Sequence, residues 1–135
     1  MATRSRIGIQ LKDDSIVSVY HHWDGYPAWL GKVLNSKFNT KEKVTDLIDG
    51  GDISCAWSDS DWDRNDIETN RPLYYAERGD SGVEPQHHES ITEYFQCTKD
   101  SWGEYAYIFN EGEWFCYDTN DNCVLVDIPE GGLEE

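Results

Sequence analysis

The chain of 135 residues lacks most of what announces a reaction or a membrane. No apolar run is long enough to cross a bilayer, which takes about 20 consecutive apolar residues. No basic-then-apolar leader stands at its start, so reduced thiols in a cytoplasm are the expectation. There is no glycine-rich phosphate loop closing on Lys-Ser/Thr, no Gly-x-Ser-x-Gly and no His-Glu-x-x-His. The four cysteines, Cys55, Cys97, Cys116 and Cys123, include no Cys-x-x-Cys pair, so a zinc knuckle is not expected. Cys116 and Cys123 flank a turn and can face each other across a hairpin, but buried free thiols are the expectation.

Base is scarce too, and unevenly so. Residues 1–58 carry seven Lys/Arg and seven Asp/Glu, whereas residues 59–135 carry four against twenty. The net charge of −16 therefore belongs entirely to the second part. Such asymmetry bears on partners and solubility, not on fold. It excludes direct binding to nucleic acid, because a polyanion is repelled.

What the chain has is aromatics. Hydrophobic residues make up only 38%, yet six Trp, eight Tyr and four Phe bring much buried area per residue. A disordered chain is poor in such residues. One folded domain over 1–135 is expected, with a flexible acidic loop over about 58–72 and a frayed tail over about 129–135.

Periodicity supplies the elements. Ile7, Ile9 and Leu11, then Ile16, Val17, Val19 and Tyr20, predict a hairpin turning at residues 12–15. Pro27 opens a helix over 27–36, and Thr40 caps a second over 41–49. Strands follow over 53–57 and 73–77, with a loop over 78–88. Ser90 and Glu93 form a capping box for a helix to about 98. Residues 105–109 and 114–117 form a hairpin, and 123–128 a last strand. Without regular βαβ alternation, this order predicts an α+β fold with a mainly antiparallel sheet, N- and C-terminal hairpins and about three short helices on one face.

Two stretches carry a resemblance. The opening Met1-Ala2-Thr3-Arg4-Ser5-Arg6-Ile7-Gly8 and the run His22-Trp23-Asp24-Gly25-Tyr26-Pro27 resemble a family of small uncharacterised proteins of tailed bacteriophages. Gly51 to Ser54, Glu104 to Phe109 and Gly112-Glu113-Trp114 look similar to it as well. Family members often carry Cys where this chain has His21. The resemblance implies a phage origin, and with it the cytoplasm of an infected bacterial host. It implies no activity.

Candidate site residues form several groups. Strand alternation places His21 and Trp23 on one face and His22 and Asp24 on the other. One reading is a ligand pocket in which Trp23 and Tyr26 stack on a flat ring while His22 and Asp24 hydrogen-bond it. Another is structural, with Asp24-Gly25 turning the chain and Trp23 filling the core. A third is a His22–Asp24 general base, although no nucleophile stands beside it. Arg4 and Arg6 precede the first strand, and with Ser5 between them they can project from one edge and hold a phosphate, or stay solvated.

Asp59, Asp61 and Asp63 start a calcium-loop spacing that Arg64 and Asn70 do not complete. His87-His88-Glu89 lacks a third ligand. No metal, cofactor or catalytic residue is therefore expected.

The function expected is binding rather than catalysis. In the leading reading, Asp59, Asp61, Asp63, Asp66 and Glu68 lead an anionic face that docks on a basic host protein, imitating nucleic acid and acting on host machinery or host defence. In the alternative, Arg4, Arg6, His22, Trp23, Asp24 and Tyr26 capture a nucleotide-like small molecule. An enzyme using His22 and Asp24 is the third.

Overall fold

Ile7 and Ile9 alternate with Arg6 and Gly8, and this gives β1 (Ser5–Gln10) two distinct faces. The computed structural model describes residues 3–23, 25–58, 71–79, 82–120 and 122–128. β1 pairs antiparallel with β2 (Ile16–His21), setting Ile7 opposite Val19 and Arg6 opposite Tyr20. The chain then makes a π-helical turn (Pro27–Gly31) and two helices, α1 (Lys32–Lys37) and α2 (Lys41–Asp49). The expected helix over 27–36 is thus split. Gly31 marks the junction, and it packs so tightly on Ile128 that a Cβ there would lie 2.7 Å from Ile128 Cγ2. Thr40 Oγ1 accepts from the Lys43 amide at 3.2 Å and caps α2, as expected.

These helices bury Leu30, Leu34, Val44 and Leu47 against Ile7, Val19 and Tyr107. Truncating a fully buried Leu of this kind costs about 2–5 kcal/mol. β3 (Ile53–Ser58) returns to pair in parallel with β2 at His21, and β4 (Arg71–Tyr74) pairs antiparallel with β3. The strand expected over 73–77 begins earlier and gives way to a 3₁₀ turn, Tyr75–Arg78. The loop expected over 78–88 ends in a short strand, β5 (Gln86–His88). β5 takes the part of the β2 edge that β3 leaves open, with Ile16 opposite His88.

α3 (Ile91–Asp100) starts from Ser90, whose hydroxyl accepts from the Glu93 amide at 3.2 Å. The Glu93 carboxylate accepts from the Glu89 amide at 2.8 Å, and its charge suits the helix start. β6 (Tyr105–Asn110) and β7 (Glu113–Asp118) form a hairpin whose two turn residues, Glu111 and Gly112, have φ of 51° and 83°. Such left-handed turns match strand twist. β8 (Val124–Val126) closes the edge.

The result is α+β, with one eight-stranded sheet ordered β4-β3-β2-β1-β6-β7-β8 and β5 beside β2. It is mainly antiparallel, but β1 with β6 and β2 with β3 are parallel. Both parallel joints close long connections that contain helices, as parallel pairing requires.

The helices do not share one face, which corrects the sequence expectation. α1 and α2 cover one face, while Tyr94 of α3 packs on Ile16, Ala106 and Ile108 of the other. Central strands with apolar residues on both sides need covering twice. Among the described residues, no helix is long and apolar enough to cross a membrane.

Candidate functional site

One end of the sheet gathers five chain segments. β1 begins there, and its leading residues tie the others down. The Thr3 carbonyl accepts from the Gly25 amide at 2.8 Å, and the Arg4 carbonyl accepts from the Glu104 amide at 2.7 Å. The Trp23 amide donates to the Ser54 carbonyl at 3.0 Å, and the Thr119 amide to the Glu104 carbonyl at 3.0 Å. The register puts the ends of β2 and β7 and the starts of β6 and β8 at this same end.

Six large hydrophobic side chains are exposed among the described residues, and five stand at this end: Trp23, Tyr26, Trp102, Val124 and Leu125. Trp102 is 78% exposed and Leu125 60%. Leu11, at the opposite end, is the sixth. Asp100, Glu104 and Asp118 flank the group in sequence and register. Single exposed hydrophobics are ordinary. These five share one end of the sheet, with β1, β6 and β7 standing between Trp23 after β2 and the two residues of β8.

The two adjacent histidines part here. His21 is fully buried on the α1–α2 face, and burial, with a smaller contribution from His22, pushes its pKa down to about 3. It is a neutral core residue. His22 turns to the other face, the one shared by Arg4, Arg6, Ser18 and Tyr20. Its Nδ1 lies 2.7 Å from the Tyr20 hydroxyl, and Trp23 meets its ring edge-on with centroids 4.7 Å apart. Partial burial, then the Arg4 charge, lower the His22 pKa and keep the imidazole neutral. Burial raises the Tyr20 phenol, while the Arg4 charge pulls it down. The sequence does not single out Tyr20 as a site residue, although its spacing of two from His22 on a strand signals a shared face.

Arg6 does not join this half-buried group, which corrects its expected role as an anion ligand. It is 3% exposed, and its Nε donates to Ser18 Oγ at 3.0 Å. Ser18 Oγ lies 2.8 Å from His88 Nε2. Arg6 occupies a central strand, so its side chain lies along the sheet towards Ser18 of β2 instead of projecting from an edge. The Arg6–Ser18–His88 relay is a polar pin through the second face. Burial, then the nearby Arg6 charge and His87, push the His88 pKa to about 4. His88 is thereby taken up by Ser18, and no group of three or more potential metal-ligating side chains occurs among the described residues.

Tyr26 leads into the π-helical turn, its carbonyl accepting from the Leu30 amide at 2.9 Å. Among the described residues it makes no ring contact with His22 or Trp23. Asp24 lies outside the described residues, as do Asp59, Asp61, Asp63, Asp66 and Glu68, most of the acidic loop, and the tail from 129. Cys116 stands opposite Val126, not Cys123, and Cys97, Cys116 and Cys123 are free thiols. Burial raises the Cys116 thiol to about 12, so it is unreactive.

Compared with known protein families, curated proteins and solved structures, the chain matches none.

Proposed function

We propose that this is a phage-encoded accessory protein that works by binding, docking the aromatic end of its sheet on a basic protein of the infected bacterium. The observation that carries this reading is the placing, among the described residues, of five of the six exposed large hydrophobics at one end of the sheet. Trp and Tyr are the residues that most often anchor an interface, because each buries a large area with few rotamers to fix. Trp23, Tyr26 and Trp102 serve as anchors, and Val124 and Leu125 extend them along the β8 edge.

The charge selects the partner. A protein with net charge −16 approaches a basic surface quickly and an acidic one slowly. Asp100, Glu104 and Asp118 rim the anchors. Asp59, Asp61, Asp63, Asp66 and Glu68 add to the field, and carboxylates so spaced can take the place of phosphates on a surface that normally holds nucleic acid. Host machinery or host defence is the target in this reading.

Affinity capture from a lysate of the host bacterium tests it, with wild type and Trp102→Ala compared along a salt gradient. Basic proteins should be held by wild type, released as salt rises, and largely lost with the variant. Retention of the same proteins by both forms, or at all salt concentrations, overturns the reading.

A further inference from the structure

The outer strands of the sheet are not equally guarded. β4 reads Arg-Pro-Leu-Tyr, so it carries a charge and a residue without an N–H, and its register with β3 shifts twice. β5 reads Gln-His-His and offers no apolar side chain. Charge, proline and bulges are what keep a sheet edge from pairing with another chain. β8 has none of these. It reads Val-Leu-Val, it pairs with β7 without a register shift, and among the described residues nothing pairs with its outer edge. Its one restraint is its length of three residues. Beyond it the chain turns to the α1–α2 face, where Ile128 packs on Gly31.

The side chains along this edge say what fits it. Leu125 lies directly opposite Tyr117, whose ring packs on Phe95 of α3 with centroids 5.0 Å apart. Leu125 therefore shares the second face, and it is 60% exposed. Val124, also exposed, lies opposite Asp118 on the other face, and exposed Asp127 follows the strand. We propose that β8 takes up an extended basic segment of the partner protein as a further strand. Backbone hydrogen bonds supply the pairing. Apolar side chains of the segment pack on Leu125 and Tyr117, and Lys or Arg on its other side pass over Val124 to Asp118. A second copy of this chain is a poor occupant, because it would set one acidic edge against another and join two bodies each of net charge −16. The proposal rests on the docking reading and adds how the partner is held.

Fluorescence anisotropy with the full chain tests it, using two labelled seven-residue peptides of equal charge. One alternates Lys and Val, beginning and ending with Lys. The other has Pro in place of each Val, which keeps the charge and removes the strand. The Lys-Val peptide should bind at least about tenfold more tightly than the Lys-Pro peptide. Leu125→Lys places a guarding charge on the edge and should bring the two peptides within about twofold of each other. Leu11→Lys adds the same charge at the opposite end and should keep the tenfold preference. Amide exchange in Val124–Val126 should slow when the Lys-Val peptide is bound. Near-UV circular dichroism confirms that each variant is folded. Equal affinity of the two peptides, a preference that survives Leu125→Lys, or protection confined to other strands overturns strand addition. So does self-association of wild type in sedimentation that Leu125→Lys abolishes, which makes the occupant a second copy. Each such failure leaves the docking reading to its own test, capture from the lysate by wild type and Trp102→Ala.

Discussion

Tyr107 on β6 donates its hydroxyl to the Gly25 carbonyl at 2.6 Å, joining positions 82 apart in the chain. Gly25 has no room for a side chain. A Cβ there would lie 2.5 Å from Ser5 Oγ and 2.7 Å from the Thr3 carbonyl oxygen. The turn inside the His-Trp-Asp-Gly-Tyr-Pro run is thus clamped between the start of β1 and the centre of the α1–α2 core. Gly25→Ala should destabilise the protein by roughly 1–3 kcal/mol through overpacking. Tyr107→Phe should cost roughly 1–3 kcal/mol by leaving a buried carbonyl without its partner. Urea denaturation midpoints measure both, and an unchanged midpoint for Gly25→Ala rejects the close approach.

Local chemistry was enough to read the hairpins, α2 and α3. Thr40, Ser90 and Glu93 announce helix starts by side chain, and Glu111-Gly112 can only turn. The strand β5 was not legible, because Gln86-His87-His88 shows no apolar alternation and pairs only with a gap left along β2. The burial of Arg6 was not legible either. It depends on α3 crossing to the second face, and nothing near Arg6 in the sequence says so. Ser18 and His88 meet across 70 positions, a register that no local pattern encodes. Of the candidate residues, His22 and Trp23 are in ring contact, as neighbours in sequence can be, while Tyr20 and Trp102 read from the sequence only as a strand residue and a loop residue.

The Arg6–Ser18–His88 pin predicts a pH dependence. The ordinary imidazole value is 6.5, and in the folded protein His88 is pushed to about 4 and His21 to about 3. Between those values the unfolded chain binds protons that the folded one refuses. Stability is therefore complete above about pH 7 and is lost as pH falls below 6.5. The loss approaches about 1.4 kcal/mol per pH unit for each imidazole. His88→Asn should flatten the slope by about half a proton at pH 6.5, rising to nearly one at pH 5. Urea unfolding across that range checks it, and a slope unaltered by the variant rejects the assignment.

The adjacent histidines should answer mutation in opposite ways. His21→Ala removes a fully buried ring and should cost about 2–4 kcal/mol. His22→Ala and Tyr26→Ala alter partly exposed side chains and should change stability by less than about 1 kcal/mol. Thermal unfolding of the three variants decides this. Large losses for His22→Ala and Tyr26→Ala would make that part of the run purely structural.

Trp102 is the residue whose backbone and side chain both run against stability. It follows α3 with φ of 62°, a left-handed conformation that favours glycine, and its indole is 78% exposed. The helix end is closed by backbone alone, the Trp102 amide donating to the Lys99 carbonyl at 3.0 Å and the Gly103 amide to the Thr98 carbonyl at 2.8 Å. Among the described residues, no hydrogen bond or ring contact holds the indole at this position. Trp102→Gly should therefore raise stability by roughly 0.5–1 kcal/mol, relieving the backbone at little packing cost. If Trp102 is an anchor of the docking end, the same change should weaken capture of the basic host partner about tenfold or more, a trade of stability against function. The two measurements separate the explanations. A variant that is stabler and still binds would leave the exposed indole without a role, and one that is less stable would show that it packs on the fold.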